Sequence, residues 1–201
     1  MGWYDFFSHF YDGSLEPLYA DARREAAAAL RLEPGQRVLD LPVGTGQSLG
    51  VLASPVKPGG RVVGVDLSAG MLKKARARVE AEALGEVVEL VQASVHDAPL
   101  DAAPFDRLHV FLGLTAFPEW EAAFERLWAQ LAPGGRAVVV DVYAEKPGFQ
   151  GHMVNLVARA DIRRRAWEPL ERVAERFERR ALPEKKEYGG ELWLATGVKP
   201  A

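Results

Sequence analysis

Two short apolar runs that each end in an acidic residue constrain this chain more than any other feature. Val38-Leu39-Asp40-Leu41 leads into the turn Pro42-Val43-Gly44-Thr45-Gly46, and Val62-Val63-Gly64-Val65-Asp66 repeats the plan about twenty residues on. Apolar runs bounded by turn residues are typical of buried parallel strands. Ligands of open α/β sheets bind outside the carboxyl ends of the strands. The two carboxylates therefore predict a nucleoside-binding edge.

The composition narrows the class of protein. The chain has 201 residues, of which 48% are hydrophobic and 26% charged, and its net charge is −3. These values are typical of one globular domain and argue against a general nucleic-acid binder. The absence of cysteine excludes disulfides and thiolate metal sites, and we expect no metal. We recognise no secretory signal and no transmembrane segment, so we expect a cytoplasmic protein.

The order of predicted elements favours an α/β sheet. Strands are predicted at 37–41, 61–66, 87–92, 106–112 and 136–142, and helices at 14–32, 46–53, 68–84 and 119–131. Strands that alternate with helices form a parallel sheet with crossover connections. A helical stretch near 152–176 then precedes two strands near 177–182 and 191–196. Tyr188-Gly189-Gly190 lies between these strands and is typical of a hairpin turn, which predicts an antiparallel closing pair.

Four motifs occur together in the order and spacing of one known family. They are Val38–Gly46, Gly64–Ser68 with Met71-Leu72 after it, Phe105-Asp106, and Leu131–Gly135. Over roughly 36–143, the chain resembles the class I S-adenosylmethionine-dependent methyltransferases. Within them it is most similar to the small-molecule branch of quinone-biosynthesis and phospholipid N-methyltransferases. A single Gly-x-Gly motif is weak support, whereas four motifs in this order are specific.

The resemblance implies the fold class α/β, as a Rossmann-like three-layer α/β/α sandwich. Its sheet would be mostly parallel and seven-stranded, with a C-terminal antiparallel hairpin. A single methyltransferase domain would cover 1–201. Residues 1–32 would form an N-terminal aromatic lid and helix, 36–143 the cofactor-binding core, and 144–201 a substrate-side helix and the closing hairpin.

The family's cofactor is S-adenosylmethionine, which leaves as S-adenosylhomocysteine. Asp66 is expected to accept hydrogen bonds from both ribose hydroxyls, because a carboxylate has two acceptor oxygens. The alternative is a structural role beside the helix that Ser68 caps. Asp40 would face the cofactor's amino group, or cap the following helix. The expected cofactor-binding residues are Tyr11, Asp40, Leu41, Gly44, Gly46, Asp66, Leu67, Met71, Ser94, Val95, Phe111 and Leu112.

The glycine loop and the following helix would meet opposite ends of the cofactor. Gly44 and Gly46 would let the backbone pass under the methionine part, or form a tight turn without a ligand. Leu67 and Met71 would pack on the adenine, although Met71 also fits the core face of a helix.

The third and fourth strands would complete the site. Ser94 would accept a hydrogen bond from the adenine amino group, and Val95 would offer its backbone N–H to the ring. Phe111 and Leu112 would line the reactive end of the cofactor, or pack in the core.

Two positions depart from the family pattern. Pro42 stands where relatives have glycine, and proline has no N–H to donate. Ser94 stands where relatives often have an acid, and Asp97 is an alternative partner for the adenine. We expect both departures to weaken or reshape cofactor binding rather than abolish it.

Two segments outside the motifs have unusual compositions. The first eleven residues hold six aromatics, and Tyr11 would face the sulfonium, because aromatic faces attract cations. The alternative is a helix pinned to the core or to a partner.

The segment Arg159–Arg180 holds eight arginines. A solvated helix face with the pairs Glu168–Arg172 and Glu175–Arg179 is favoured, and a membrane surface or an anionic substrate is the alternative.

The predicted function is methyl transfer to a small-molecule or lipid-headgroup acceptor by in-line displacement. Orientation is the main catalytic effect, and no catalytic residue is assigned. His9, Tyr11, Tyr143 and His152 are candidate bases for an acceptor that must lose a proton. One alternative is a protein that binds the cofactor without transferring its methyl group. Another is a nicotinamide-dependent oxidoreductase, which is disfavoured because Leu49 replaces the third glycine of Gly-x-Gly-x-x-Gly. The sequence does not predict the oligomeric state.

Overall fold

A computed structural model describes residues 3–98, 103–183, 185 and 188–201, with the side chains of 3–16 outside the description. The helices are α1 (Trp3–Leu30), α2 (Leu49–Val56), α3 (Ala69–Ala81), α4 (Trp120–Ala129), α5 (Phe149–Ala158) and α6 (Glu168–Val173). The strands are β1 (Arg37–Asp40), β2 (Arg61–Asp66), β3 (Val88–Gln92), β4 (Phe105–Phe111), β5 (Leu131–Tyr143), β6 (Glu175–Ala181) and β7 (Glu191–Val198).

The seven strands form one sheet in the order β3-β2-β1-β4-β5-β7-β6. The first five strands in this order are parallel, and β7 is antiparallel to both β5 and β6. From β1 to β3 successive strands are added on one side of β1, and from β4 they are added on its other side. Ligands of open α/β sheets bind at the point where this order reverses. The prediction of a mostly parallel sheet closed by an antiparallel hairpin is confirmed.

The core lies on both faces of the sheet. One face packs against α1, α2 and α3, with Leu30, Leu52 and Leu72 fully buried. The other face packs against α4 and α6, with Phe124 and Leu170 fully buried. Since β1 and β2 are covered on both sides, their sequences are continuously apolar. The three-layer α/β/α arrangement is confirmed.

The helix α1 begins much earlier than the predicted residue 14. It runs from Trp3, so Pro17 lies inside the helix rather than in its first turn. Proline removes one backbone donor from a helix but does not always end it. The prediction of a lid rests on side chains before Pro17, which lie outside the described residues.

The predicted helix near 152–176 is in fact two helices. The helix α5 ends at Arg159, which has a left-handed φ of 49°, and the Asn155 side chain accepts a hydrogen bond from the Ile162 N–H at 3.0 Å. Pro169 lies in the first turn of α6. Local capping therefore divides a segment whose composition alone favours one helix.

The motif Pro133-Gly134-Gly135 lies inside β5 rather than before it. Pairing between β4 and β5 shifts register here, because Phe105 opposes Leu131 whereas Arg107 opposes Arg136. Gly134 has a φ of +75°, which suits a bulge within a continuing strand.

Candidate active site

Asp66 joins the two loops at the carboxyl edge of the sheet. Its Oδ2 accepts a hydrogen bond from the Gly44 N–H at 2.9 Å, and its Oδ1 accepts one from the Ser68 N–H at 2.9 Å. Burial raises the pKa of the Asp66 carboxyl, and these two N–H groups oppose the rise. The residue is half-buried, and each carboxylate oxygen accepts one of these bonds and can accept another. The structural role beside Ser68 and a role in binding ribose are therefore compatible.

The two glycines of the first loop have different surroundings. Both have left-handed backbones, with φ of +56° at Gly44 and +81° at Gly46. A Cβ at Gly44 would meet no atom within 4 Å, whereas a Cβ at Gly46 would lie 2.8 Å from the Leu49 side chain and 3.2 Å from the Ala75 backbone. Gly46 is therefore required for packing, and Gly44 leaves an open face on which a ligand can lie.

The position of the third nucleotide-loop glycine is occupied by a core residue. Leu49 is fully buried, begins α2, and donates its N–H to the Gly46 carbonyl at 3.0 Å. Its side chain fills the space that the third glycine opens for a helix in dinucleotide-binding folds. The packing supports the preference against a nicotinamide cofactor.

Asp40 is paired inside the protein rather than exposed at the edge. Its Oδ1 lies 2.7 Å from the Nδ1 of His109, and both side chains are buried. Among the described residues, neither the second Asp40 oxygen nor the His109 Nε2 has a hydrogen-bond partner. The buried Thr45 hydroxyl, in the glycine loop, is also without a partner. Polar atoms that a ligand could satisfy therefore lie beside the glycine loop, where the cofactor is expected.

The predicted adenine contacts divide into an exposed and a buried residue. Leu67 is 67% exposed directly after β2, which is unusual for a leucine in this protein. Met71 is buried, and its N–H donates to the Ser68 Oγ at 3.2 Å. This hydrogen bond confirms that Ser68 caps α3. Leu67 presents a free apolar surface, whereas Met71 belongs largely to the core.

The two candidate partners of the adenine amino group bind each other. The Ser94 hydroxyl donates to Asp97 Oδ2 at 2.6 Å, and the Asp97 N–H donates to Ser94 Oγ at 3.1 Å. Val95 is buried between them. The sequence presents Ser94 and Asp97 as alternatives. In the structure they are joined by hydrogen bonds, so a ligand amino group here would meet both.

The end of β4 meets α1. Phe111 is buried, and its ring makes an edge-on contact with Tyr19 at 6.1 Å between centroids. The guanidinium of Arg23 lies 5.1 Å from the Phe111 ring centroid and is itself buried. Leu112, directly after β4, has a left-handed φ of 53°, a strained conformation for leucine. Core packing therefore accounts for the position of Phe111. The strained backbone marks Leu112 as a candidate for a functional role.

Arg23 is a residue that sequence reasoning missed. Nothing in its helical context distinguishes it from Arg24, which is exposed and pairs with Asp21. A buried arginine is rare, because burial of a charge is costly unless the charge is paired. The signal is visible only once α1 is packed against β4.

Asp141 is a second missed residue and holds the loop after β4. It is buried, and it accepts hydrogen bonds from the Thr115 N–H at 3.0 Å and the Thr115 hydroxyl at 2.7 Å. The same loop contains Gly113, where a Cβ would lie 2.3 Å from the ring of Pro42. Asp141 thus positions the loop that packs against Pro42, the residue of the first motif that differs from the family pattern.

Asp141 is expected to make stability depend on pH. Burial raises the pKa of its carboxyl from 3.8 to about 6. The folded chain therefore retains a proton that the unfolded chain releases, so the stability from this group is present below about pH 4 and lost as the pH rises through about 6. Relative to Asp141→Asn, the wild-type free energy of unfolding should fall by up to about 3 kcal/mol over this range. Urea unfolding at a series of pH values measures it, and parallel curves for the two proteins would contradict the assignment.

The remaining predicted positions have mixed outcomes. Leu41 directly follows β1, is buried, and donates its N–H to the His109 carbonyl at 3.1 Å, so it continues the contact with β4 beyond the end of the strand. Tyr11 lies on α1, and its side chain is outside the described residues. Of the candidate bases, Tyr143 is half-buried against Trp167, whereas His152 is exposed on α5. The side chain of His9 is outside the description.

Comparison with known proteins agrees with this geometry. Residues 38–135 match the sequence model of a methyltransferase domain family. The chain is 40% identical over 124 residues to a demethylmenaquinone methyltransferase of Thermus thermophilus, which covers 61% of this chain and 55% of the relative. Residues 38–135 therefore form a domain of this methyltransferase family.

Two further known proteins match a larger part of the chain. It is 33% identical over 145 residues to the ubiquinone/menaquinone biosynthesis C-methyltransferase UbiE of Ectopseudomonas mendocina, covering 72% of this chain and 55% of the relative. An O-methyltransferase family protein from Burkholderia thailandensis has the same fold, with a TM-score of 0.77 at 15% identity, covering 96% of this chain and 60% of that chain. The chain spans little more than half the length of the curated relatives it matches.

None of the helices in the described part of the chain combines the length and the apolar composition that crossing a bilayer requires. No cluster of three or more metal-ligating side chains occurs among those same residues.

Proposed function

We propose that this methyltransferase binds S-adenosylmethionine at the carboxyl ends of β1, β2 and β4 and transfers its methyl group to a small quinone-type acceptor. The observation that carries the proposal is the junction at Asp66. A half-exposed carboxylate is fixed by the Gly44 and Ser68 N–H groups, beside the open face of Gly44 and the exposed Leu67. This arrangement matches a ribose with two hydroxyls and an apolar base next to it.

The residues present fit the cofactor along its length. Asp66 would bind the ribose, Leu67 would cover the adenine, and the pair Ser94–Asp97 would accept from its amino group. The backbone at Gly44 would lie under the methionine part. The unsatisfied oxygen of Asp40 is buried close to this loop and would reach the ligand's amino group through a shift or a water molecule.

Arg23 is proposed to bind the carboxylate of the methionine part. Its guanidinium lies against Phe111, at the end of the strand that borders the glycine loop. A partly desolvated guanidinium pairs well with a carboxylate, because a charge-assisted hydrogen bond is about twice as strong as a neutral one.

Arg23→Gln should weaken binding of S-adenosylhomocysteine about 30-fold, which corresponds to about 2 kcal/mol. Arg24→Gln is the matched control, since it makes the same chemical change one residue along on the exposed side of α1. Calorimetric titration of both variants measures the effect. Equal affinities for the two variants would exclude the carboxylate role of Arg23.

The chemistry asks the protein for orientation. The sulfonium already activates the methyl carbon, so the protein must hold acceptor, methyl and sulfur in line and exclude water. Orientation of this kind can lower the barrier by roughly 7–11 kcal/mol. The loop between β4 and α4 is suited to this task, because Asp141 fixes Thr115 and Pro42 packs on Gly113.

The quinone-type acceptor is proposed from the relatives. Both curated relatives described above have names that refer to menaquinone biosynthesis, and one is named a C-methyltransferase. We therefore expect a new carbon–carbon bond to the ring of a demethylated quinol, with the ring proton lost afterwards.

Two measurements test the proposed function. Titration with S-adenosylhomocysteine should give micromolar affinity, about −8 kcal/mol, with no response to NAD. Incubation with S-adenosylmethionine and a short-chain demethylmenaquinol should yield a methylated ring by mass spectrometry. Binding without turnover on any quinol would leave a cofactor-binding protein, and an NAD response would favour the oxidoreductase.

A further inference from the structure

The helix α5 exposes an apolar stripe. It contains no charged residue, and Phe149 is 80% exposed, Leu156 66% and Met153 40%. The helix α2 is also uncharged, but it buries its apolar residues in the core. The exposure of α5 therefore follows from where the helix lies and not from composition alone.

The opposite face of α5 is anchored. A Cβ built on Gly189 would lie 2.8 Å from the Gly151 Cα, so the helix approaches the turn before β7 as closely as two glycines allow. An α-helix turns about 100° per residue, which places Phe149, Met153 and Leu156 about 140–200° around the axis from Gly151. The stripe therefore faces directly away from the anchored side.

The stripe is bordered by positive charge. Between residues 145 and 165 there are five basic residues and two acidic ones, although the whole chain has a net charge of −3; of the five, Arg163 pairs with Asp161 and Arg165 with Glu168. Lys146 precedes α5, and Arg159 caps its C-terminus. An uncharged apolar stripe flanked by basic residues is the pattern of a helix that lies in a membrane interface.

Several arginines that follow α5 in the sequence form ion pairs with glutamates. The structure pairs Arg165 with Glu168, Arg172 with Glu121, Arg179 with Glu191, and Arg180 with Glu25. The expected pairs Glu168–Arg172 and Glu175–Arg179 are not the ones found among the described residues, because α4 brings Glu121 to Arg172 and β7 brings Glu191 to Arg179. The segment Arg159–Arg180 is therefore mainly an ion-paired surface, and α5 is the better candidate for a contact.

We propose that α5 docks on an anionic phospholipid surface, with its stripe at the boundary of headgroups and acyl chains. The basic residues at both ends of the helix would face lipid phosphates. A second copy of this chain is a poorer occupant, because three side chains expose only a few hundred Å² and a stable interface needs about 800 Å² per partner. Since α5 follows β5 at the carboxyl edge of the sheet, docking would bring the candidate active site towards the bilayer.

Vesicle flotation tests the proposal without cofactor or acceptor. Wild-type protein should float with vesicles of phosphatidylcholine and phosphatidylglycerol in equal amounts, and much less with phosphatidylcholine alone. The double variant Phe149→Ser/Leu156→Ser should lose binding about tenfold or more, because two apolar anchors leave the interface. Val173→Ser is the matched control, since it removes an exposed apolar side chain from α6. Its binding should stay within about twofold of wild type.

Thermal unfolding of each variant keeps the result interpretable, because outward-facing substitutions should leave the unfolding temperature nearly unchanged. Lys146→Gln supplies a second variant that tests the charge and should weaken flotation without altering the stripe. Absence of wild-type flotation, or equal losses in the double variant and Val173→Ser, would overturn the proposal. So would a wild-type dimer in sedimentation that the double variant abolishes while vesicles bind neither protein.

Discussion

Asp66→Asn is expected to weaken binding of S-adenosylhomocysteine by about 100-fold or more. The carboxylate would accept hydrogen bonds from two ribose hydroxyls, and each such bond to a charged group contributes about 1.5–3 kcal/mol. An amide has one acceptor oxygen and no charge, and the Gly44 and Ser68 N–H groups compete for that oxygen. Both the ligand and the loops therefore lose an acceptor. Calorimetric titration measures the affinity.

Asp106→Asn is the matched control for this variant. Asp106 accepts a hydrogen bond from the Arg37 N–H at 2.8 Å, at the opposite edge of the sheet. Both variants therefore change a carboxylate that accepts from the backbone, and both should lose about 1 kcal/mol of stability. Only Asp66→Asn should lose affinity. If Asp66→Asn retains the wild-type affinity, the ribose does not bind at this carboxylate.

His109→Leu is expected to lower the free energy of unfolding by about 3–5 kcal/mol. The substitution leaves Asp40 buried with no partner, and an uncompensated buried charge is among the most destabilising changes in a protein. The hydrogen bond between Asp40 and His109 is 2.7 Å long, and the His109 ring also stacks near Phe111 at 5.9 Å between centroids. Urea unfolding without ligand measures the loss.

The double variant Asp40→Leu/His109→Leu isolates the pair. With both polar groups removed, no buried charge is left, so the double variant should be no less stable than His109→Leu. Asp40→Asn should cost less than His109→Leu, because an amide still bonds to the imidazole. Additive losses in the double variant would show that the two residues act independently.

A residue's position could be predicted from the sequence where it depends on local features, and could not where it depends on contacts between distant elements. Leu67 directly follows β2 and Gly44 lies in the loop after β1, and the structure leaves both of them open to a ligand, as their position near strand ends predicts. Met71, Phe111 and Leu41 are equally close to the motifs, yet the structure places them mainly in the core. A one-residue change of position along a strand or helix decides which face a side chain takes, and sequence patterns do not resolve it.

Cooperation between distant residues was invisible in the sequence. Asp40 and His109 are 69 positions apart, Thr115 and Asp141 are 26 apart, and Arg23 meets Phe111 across two elements. Such pairs depend on which strands become neighbours, and the strand order beside β1 is a property of the whole sheet.

The sequence by itself determined the alternation of strands and helices, the antiparallel closing pair and the two strand-end carboxylates. These features depend on local apolar periodicity and on turn residues, which act within a few positions. Tertiary structure alone decided that His109 pairs with Asp40, that Gly46 serves packing while Gly44 stays open, and that α5 shows its apolar stripe to solvent. The physical reason is that burial, pairing and exposure are set by contacts between elements, and those contacts exist only after the sheet has assembled.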